Sequence, residues 1–296
     1  MGEQKLRSGI VISSLAGFYD VEAEGEIITC RARGILRKQG ISPCVGDYVD
    51  ISGAANNQGM IETVKPRKNQ LYRPVVANID LVVIILSVTN PEPDYLLLEK
   101  LIILARHRGM DSVVCFNKVD LAPDVARELV AKYQTAGNHS LAISALSGDG
   151  IDQLVKLINR GTAVLAGQSG VGKSRLAQAL TGRDDIVVGE VSKKNGRGRH
   201  TTRQVRLLKT IGGGRLADTP GFSSLQLEDI DCRDLAALYP EIIGLKTACR
   251  FNSCTHVEEP GCALRAAVDS GVIPHTRYEN YLRIFCQVRE KEESRY

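Results

Sequence analysis

Gly167–Ser174 reads GQSGVGKS, which satisfies the phosphate-loop pattern G-x-x-x-x-G-K-[ST]. The apolar run Thr162–Ala166 before it predicts a buried strand, and the residues from Gly172 to Leu180 predict a helix after it. Glycines let the main chain come close to phosphates, and the backbone N–H groups at the helix start point at them. The expected nucleotide contacts are therefore Gly167, Gln168, Ser169, Gly170, Val171, Gly172, Lys173, Ser174 and Arg175. Lys173 is placed to reach the β- and γ-phosphates during catalysis, and Ser174 to ligate Mg²⁺. In an ordinary nucleotide-binding domain this loop comes after the first strand, yet here it lies past the middle of a 296-residue chain.

The phosphate loop alone does not choose between ATP and GTP. The sequence NKVD, Asn117–Asp120, comes after a second apolar run, Ser112–Phe116. A carboxylate at Asp120 accepts two hydrogen bonds from guanine N1–H and its 2-amino group. Adenine lacks that donor pair and would leave a desolvated charge unpaired. Asn117 is placed to meet the other base edge, the Lys118 stem to pack on the base face, and Val119 completes the loop. Ser144-Ala145-Leu146 closes a third strand like the loop that backs guanine, although these residues alone carry no weight. DTPG, Asp218–Gly221, comes after a further strand at Arg215–Ala217. Its Asp218 is expected to hold Mg²⁺ through water and its Gly221 N–H to bond the γ-phosphate. Between the phosphate loop and DTPG lies KKNGRGRHTTR, Lys193–Arg203, in the place of a switch loop. Thr201 or Thr202 would reach Mg²⁺, with Thr202 preferred.

These are GTPase parts in an unusual order: NKVD, SAL, phosphate loop, switch, DTPG. Ordinary GTPases start with the phosphate loop. The domain thus reads as circularly permuted, with the cut after DTPG, a change tolerated where termini meet at a surface. The segment after DTPG then leads straight into the C-terminal region, a route by which nucleotide state can reach it. Phe222 stands where many GTPases place a water-orienting glutamine, so intrinsic hydrolysis should be slow. His200 is the nearest candidate to supply that function; the alternative is a loop histidine with no catalytic part.

Working outward, about Ser8 to Gln70 alternates in short runs: Gly9–Ser13, Phe18–Ala23, Glu26–Arg31, Tyr48–Ile51 and Gly59–Val64. Such spacing predicts a small β-barrel, and it does not separate an OB type from an SH3 type. Pro66–Ala77 reads as a linker. Strands at Ile79–Val88, Ser112–Phe116 and Leu141–Ser144 alternate with helices at Tyr95–Arg108, Asp124–Tyr133 and Ile151–Leu157, which predicts a doubly wound parallel sheet. Gln204–Ile211 and Arg215–Ala217 predict a hairpin around Gly212–Gly214. From Leu235 onward the pattern is mostly helical and short of apolar residues, so this part should need a staple. CRFNSCTHVEEPGC there has the spacing C-x4-C-x-H-x5-C: Cys249, Cys254, His256 and Cys262 can fill a tetrahedral Zn²⁺ shell with no place for water. Otherwise these are separate core cysteines and a polar histidine.

The fold class is multidomain α/β. Residues 1–70 are expected to form an RNA-binding barrel, 71–230 the permuted GTPase domain, and 231–296 a small helical zinc domain. The net charge is a mild +4, but Lys193, Lys194, Arg197, Arg199, Arg203, Arg206 and Lys209 form a run with no acid. Smaller clusters are Arg31, Arg33, Arg37, Lys38 and then Lys65, Arg67, Lys68, Arg73. Any one is readily a solvated face; three together favour a polyanionic partner. The longest apolar run, Leu81–Leu86, is far short of the ~18 residues of a membrane span, and no signal segment or myristoylation pattern opens the chain. A cytoplasmic monomer with no membrane partner is expected, and its eight cysteines should not form a disulfide framework.

With NKVD, GQSGVGKS, GRHTT, DTPG and the Cys/His cluster in this order, nearly the whole chain resembles the circularly permuted GTPases of the RsgA/YjeQ family. The resemblance implies an OB-fold N-terminal domain, and GTP hydrolysis stimulated by the small ribosomal subunit and its rRNA. It also implies a role in late maturation of that subunit, participation of His200 in hydrolysis, and bound zinc. The short lead before the first strand, where some relatives have a longer basic extension, implies weaker RNA affinity. Other readings are a nucleotide-switched RNA-binding protein with incidental hydrolysis, or a module acting on other RNAs. A kinase reading leaves NKVD and DTPG without purpose.

Overall fold

The computed structural model describes residues 6–53, 57–72, 74–135, 137–186, 205–222 and 230–294. Five strands open the chain: Arg7–Leu15 (β1), Phe18–Ala23 (β2), Glu26–Ala32 (β3), Tyr48–Ser52 (β4) and Gln58–Val64 (β5), with a short helix, Gly34–Lys38 (α1), between β3 and β4. Alternation places Val11, Val21, Ile28, Cys30, Val49, Ile51 and Ile61 inward, each 0% exposed. The hairpin turns Ala16-Gly17 and Glu24-Gly25 have positive φ at both central residues, matching the twist of the flanking strands. The order is β1-β2-β3-β5-β4 with β4 returning to β1, and β3–β5 is the parallel pair. Closure in this order is the OB arrangement, which resolves the choice between barrel types.

Pro66–Ala77 is not the linker expected from its lack of periodicity. It contains a hairpin, Gln70–Tyr72 (β6) with Val75–Ala77 (β7), that locks the barrel to the α/β sheet. Arg67 donates from Nε and Nη2 to the two oxygens of Asp47 at 2.7 and 2.8 Å, and Asp47 is fully buried. A Cβ on Gly46 would lie 2.1 Å from the Ala77 carbonyl oxygen, so only glycine fits this crossing.

The second unit is a sheet of Leu81–Ser87 (β8), Asp111–Asn117 (β9), His139–Ile143 (β10), Thr162–Ala166 (β11), Arg206–Lys209 (β12) and Arg215–Phe222 (β13). Its order is β10-β9-β8-β11-β13-β12, parallel except for the last pair. All seven residues of β8 are buried, as a strand covered on both faces requires. Val82, Ile84 and Leu86 face the helix Tyr95–His107 (α2), while Leu81, Val83 and Ile85 face Ile151–Ile158 (α4) and Lys173–Thr181 (α5). Pro123–Thr135 (α3) covers β9 and β10. The hairpin after β12 forms as expected. β13, however, runs on through DTPG, because Arg206 pairs with Asp218 on one side and Ala166 with Phe222 on the other. Loops at the carboxyl ends of parallel strands are where such folds bind ligands.

The C-terminal region adds Pro240–Ile243 (α6), Ala263–Asp269 (α7) and His275–Glu293 (α8). It is richer in core than its composition suggests. Leu235, Tyr239, Ile242, Tyr281, Ile284 and Phe285 join the same buried cluster as Leu98, Leu101 and Ile102 of α2. Arg277 pairs with Glu99 of α2 at 3.0 Å and with Glu241 at 2.7 Å across this joint. Among the described residues no helix is long and apolar enough to cross a membrane.

Removing one partner of a buried pair leaves the other charge uncompensated. Arg67→Ala should therefore lower unfolding stability by about 3 kcal/mol, read from the denaturant midpoint.

Candidate nucleotide site and metal centre

The loops after β8, β9, β10 and β11, together with the end of β13, lie along one edge of the sheet. Gly167 has φ +141°, and a Cβ there would sit 2.2 Å from the Ile85 carbonyl oxygen. Gly172 has φ +102°, and its Cβ would sit 2.4 Å from Asn117 Nδ2. These two glycines are required by close approach as well as by backbone conformation.

Asn117, 2% exposed, has a role that the sequence did not show. Its Nδ2 donates to the Val171 carbonyl at 2.7 Å, and its Oδ1 accepts from the Ala145 N–H at 3.0 Å. One amide thus ties the base loop to the phosphate loop and to the SAL loop. Lys118 is left-handed at φ +68°, and its Nζ donates to the Asn90 carbonyl and, at 3.0 Å, to the Gly170 carbonyl. Its ammonium thus joins the NKVD loop to the phosphate loop and to the loop after β8. Asp120 accepts from Ser144 Oγ at 2.6 Å while remaining exposed, leaving carboxylate capacity for a ligand. Val119 donates its N–H to the Ile143 carbonyl at 3.3 Å.

Lys173 folds back onto its own loop, donating to the Gly167 and Gln168 carbonyls at 2.8 and 2.5 Å. Burial pushes its ammonium below the ordinary lysine range, which an arriving phosphate would reverse. Ser174 is half-buried at the start of α5; Ser169 and Arg175 are exposed. Asp218 lies one strand over from the phosphate loop, on β13 beside β11. Desolvation raises its carboxyl above the ordinary range, with Arg206 and Arg183 pulling the other way. Gly221 continues β13. His200, Thr201 and Thr202, with the basic run from Lys193 to Arg203, lie outside the described residues, as does Arg73.

The sequence reading missed the loop Val88–Asp94. Its Asn90 carbonyl receives Lys118, its Asp94 N–H donates to Gln168 Oε1 at 3.3 Å, and Pro91 lies against Gly170. The Asn-Pro-Glu-Pro string after a buried strand was the available signal.

The structure brings Cys249, Cys254, His256 and Cys262 together. His256 Nδ1 lies 3.6, 3.6 and 3.4 Å from their three sulfurs, and all four ligand atoms fall within 4.8 Å of one another. A tetrahedron with Zn–S near 2.3 Å and Zn–N near 2.0 Å has N···S edges of ~3.6 Å, so the donor set fits zinc. His256 is fully buried, and burial keeps its ring below the ordinary histidine range, in the neutral ligating form. Its Nε2 has no hydrogen-bond partner among the described residues. Glu259, also missed, accepts from Thr255 N, Thr255 Oγ1 and Val257 N at 2.6, 2.6 and 3.0 Å. Burial works against its charge, yet these donors hold its carboxyl at about 2. Tyr278 and Tyr281 donate from α8 to the His256 and Thr255 carbonyls at 2.9 and 2.6 Å.

The basic clusters fare differently. Lys65, Arg67 and Lys68 pair with Asp50, Asp47 and Asp80; the Arg67 pair is largely buried, while the Lys65 and Lys68 side chains remain 45% and 56% exposed. Arg33 pairs with Glu62. Arg37 and Lys38 are exposed, and the Arg31 guanidinium lies 4.5 Å over the ring of Phe18.

Residues 64–228 match the family described as RsgA GTPase, and residues 8–61 match the RsgA N-terminal domain. A protein of Caldanaerobacter subterraneus subsp. tengcongensis named small ribosomal subunit biogenesis GTPase RsgA is 42% identical over 97% of this chain and 98% of its own length. The protein of that name from Moorella thermoacetica is 42% identical over 97% and 99%. The crystal structure of YjeQ from Thermotoga maritima superposes with a TM-score of 0.81 at 35% identity, over 96% of this chain and 99% of that one. YloQ, described as a circularly permuted GTPase, superposes with a TM-score of 0.81 at 31% identity, over 97% and 96%.

Asn117→Ala should leave a buried carbonyl and a buried N–H unpaired, at about 1–3 kcal/mol each. The expected outcome is a lowered melting temperature together with weaker binding of fluorescent GDP, since all three loops lose their common tie.

Proposed function

The chain belongs to the RsgA GTPase family, and on that premise we propose that it binds the small ribosomal subunit and hydrolyses GTP to GDP and phosphate when the subunit's rRNA engages it, assisting late maturation of that subunit. The observation that carries this reading is the convergence of a guanine-type loop, a phosphate loop and a DTPG strand on one sheet edge, in permuted order, beside an OB barrel.

Asp120 reads the guanine N1–H and 2-amino group, the Lys118 stem packs on its face, and Ser144 steadies the carboxylate. Backbone N–H groups of 167–175 meet the α- and β-phosphates. Lys173 exchanges its two carbonyl partners for β- and γ-phosphate oxygens. Ser174 and Asp218, with Thr202, offer hard oxygen ligands suited to Mg²⁺. Bound there, Mg²⁺ would neutralise charge that develops on the phosphate oxygens. The Gly221 N–H bonds the γ-phosphate. Phe222 cannot orient water, which leaves intrinsic turnover slow; His200 takes the task of positioning and deprotonating the attacking water when the subunit engages the protein. On the barrel, the exposed Arg31–Phe18 stack, with the exposed cations Arg37 and Lys38 of the same domain, offers the combination of cation and aromatic ring that suits single-stranded RNA. Cys249, Cys254, His256 and Cys262 hold one structural Zn²⁺. A cytoplasmic location goes with a ribosomal partner.

The decisive assay is GTP turnover with and without purified small subunits at two salt concentrations. Expected is strong stimulation that falls as salt rises, because phosphate contacts release counterions. Tight GTP binding with no stimulation would favour a nucleotide-switched RNA-binding protein.

Stripping zinc with a strong chelator should lower the melting temperature and release one equivalent of metal. Cys254→Ser should do the same, since structural zinc contributes folding energy outright.

A further inference from the structure

The hairpin β12–β13 joins the nucleotide site to the barrel. Its open end carries Asp218, whose register partner is Arg206, and Arg206 in turn pairs with Ser13 of β1. Among the described residues this single Cα pair is the backbone link between the barrel and β12. Its closed end is fixed to the GTPase domain: Ile211 N–H donates to the Leu180 carbonyl at 2.9 Å, and Gly212 and Gly214 lie against Val155 and Ile158.

One barrel carboxylate spans both strands of this hairpin. Glu22 of β2 accepts from Arg215 Nη2 at 2.9 Å with one oxygen and from Lys209 Nζ with the other. Lys209 and Arg215 are themselves register partners. The Glu22 side chain is 11% exposed and that of Arg215 26%, whereas Lys209 is 72% exposed. Burial works against the Glu22 charge, but the two cations outweigh it and hold the carboxyl below its ordinary range. A largely buried carboxylate facing two cations across a domain boundary is a charge-matched contact that ties the barrel to the hairpin.

We propose that Glu22 is a positioning residue: by gripping Lys209 and Arg215 it makes the barrel and the β12–β13 hairpin one mechanical unit, so that rRNA bound by the barrel acts on the Mg²⁺ side of the nucleotide site through Asp218. The inference rests on the subunit-stimulated GTPase reading above and names the route of that stimulation. Glu22 touches no nucleotide. Its loss should therefore spare basal chemistry and subunit binding while lowering turnover in the complex.

The experiment uses the full chain and purified small subunits. Glu22→Gln should lower kcat at saturating subunit by about fivefold or more, with basal turnover, GDP affinity and the subunit concentration for half-stimulation within about twofold of the original. Lys209→Gln, at an exposed position that spares folding, should lower the stimulated kcat in the same direction but less. Glu22→Arg combined with Lys209→Glu and Arg215→Glu should restore stimulation. A kcat in the complex that is unchanged in both single variants would overturn the proposal. So would an equal fall in basal and stimulated turnover, which marks a merely structural contact. If the original chain itself showed no stimulation, the functional reading would fail and the clamp would have nothing to transmit.

Discussion

The buried side-chain amide of Asn117 holds the nucleotide site together before any nucleotide arrives. It binds the phosphate loop with its nitrogen and the SAL loop with its oxygen, while its own backbone belongs to the base-recognition loop. A buried amide without partners is costly, so the three loops stay assembled. The packing is tight enough that Gly172 has no room for a Cβ. The same tie explains why circular permutation leaves the site intact. The loops are joined sideways, by side chains and by adjacent strands β9, β8 and β11, and not by the order in which the chain visits them.

Around this centre each flanking unit is fastened by charge buried at a boundary. The barrel is fixed at one side by Arg67 on Asp47 and at another by Glu22 on Lys209 and Arg215. The C-terminal region is fixed to α2 by Arg277 between Glu99 and Glu241, within a shared apolar core. Burial raises the Glu99 carboxyl above its ordinary range despite that guanidinium, as expected for a carboxylate almost free of water. α2 itself starts beside the phosphate loop, where the Asp94 N–H meets Gln168. The Cys/His cluster therefore belongs to a region that shares its apolar core with α2 of the GTPase domain.

Several elements were legible because their signal is local. The all-apolar run of β8, the alternation of β2 and β3, and the glycines of the phosphate loop each arise from constraints among neighbouring residues. Pro66–Ala77 was not legible. Three-residue strands carry no period, and what orders them is Asp47 and Val45, some twenty to thirty residues earlier. The ion pairs of Lys65, Arg67 and Lys68 were hidden for a related reason, since their carboxylate partners are spread over the sequence and meet them only in the fold.

By itself the sequence determined the motifs and their order: NKVD, the phosphate loop, DTPG and four soft ligands at metal spacing. These are short motifs whose geometry is set within a few residues by backbone rules. Only the tertiary structure decided that the barrel closes in the OB order, that Asn117 braces the loops, that Glu259 and two tyrosines hold the backbone around the Cys/His cluster, and that Glu22 grips the β12–β13 hairpin. Each of these depends on groups far apart in the chain becoming neighbours, and long-range pairing leaves no periodic trace in the sequence.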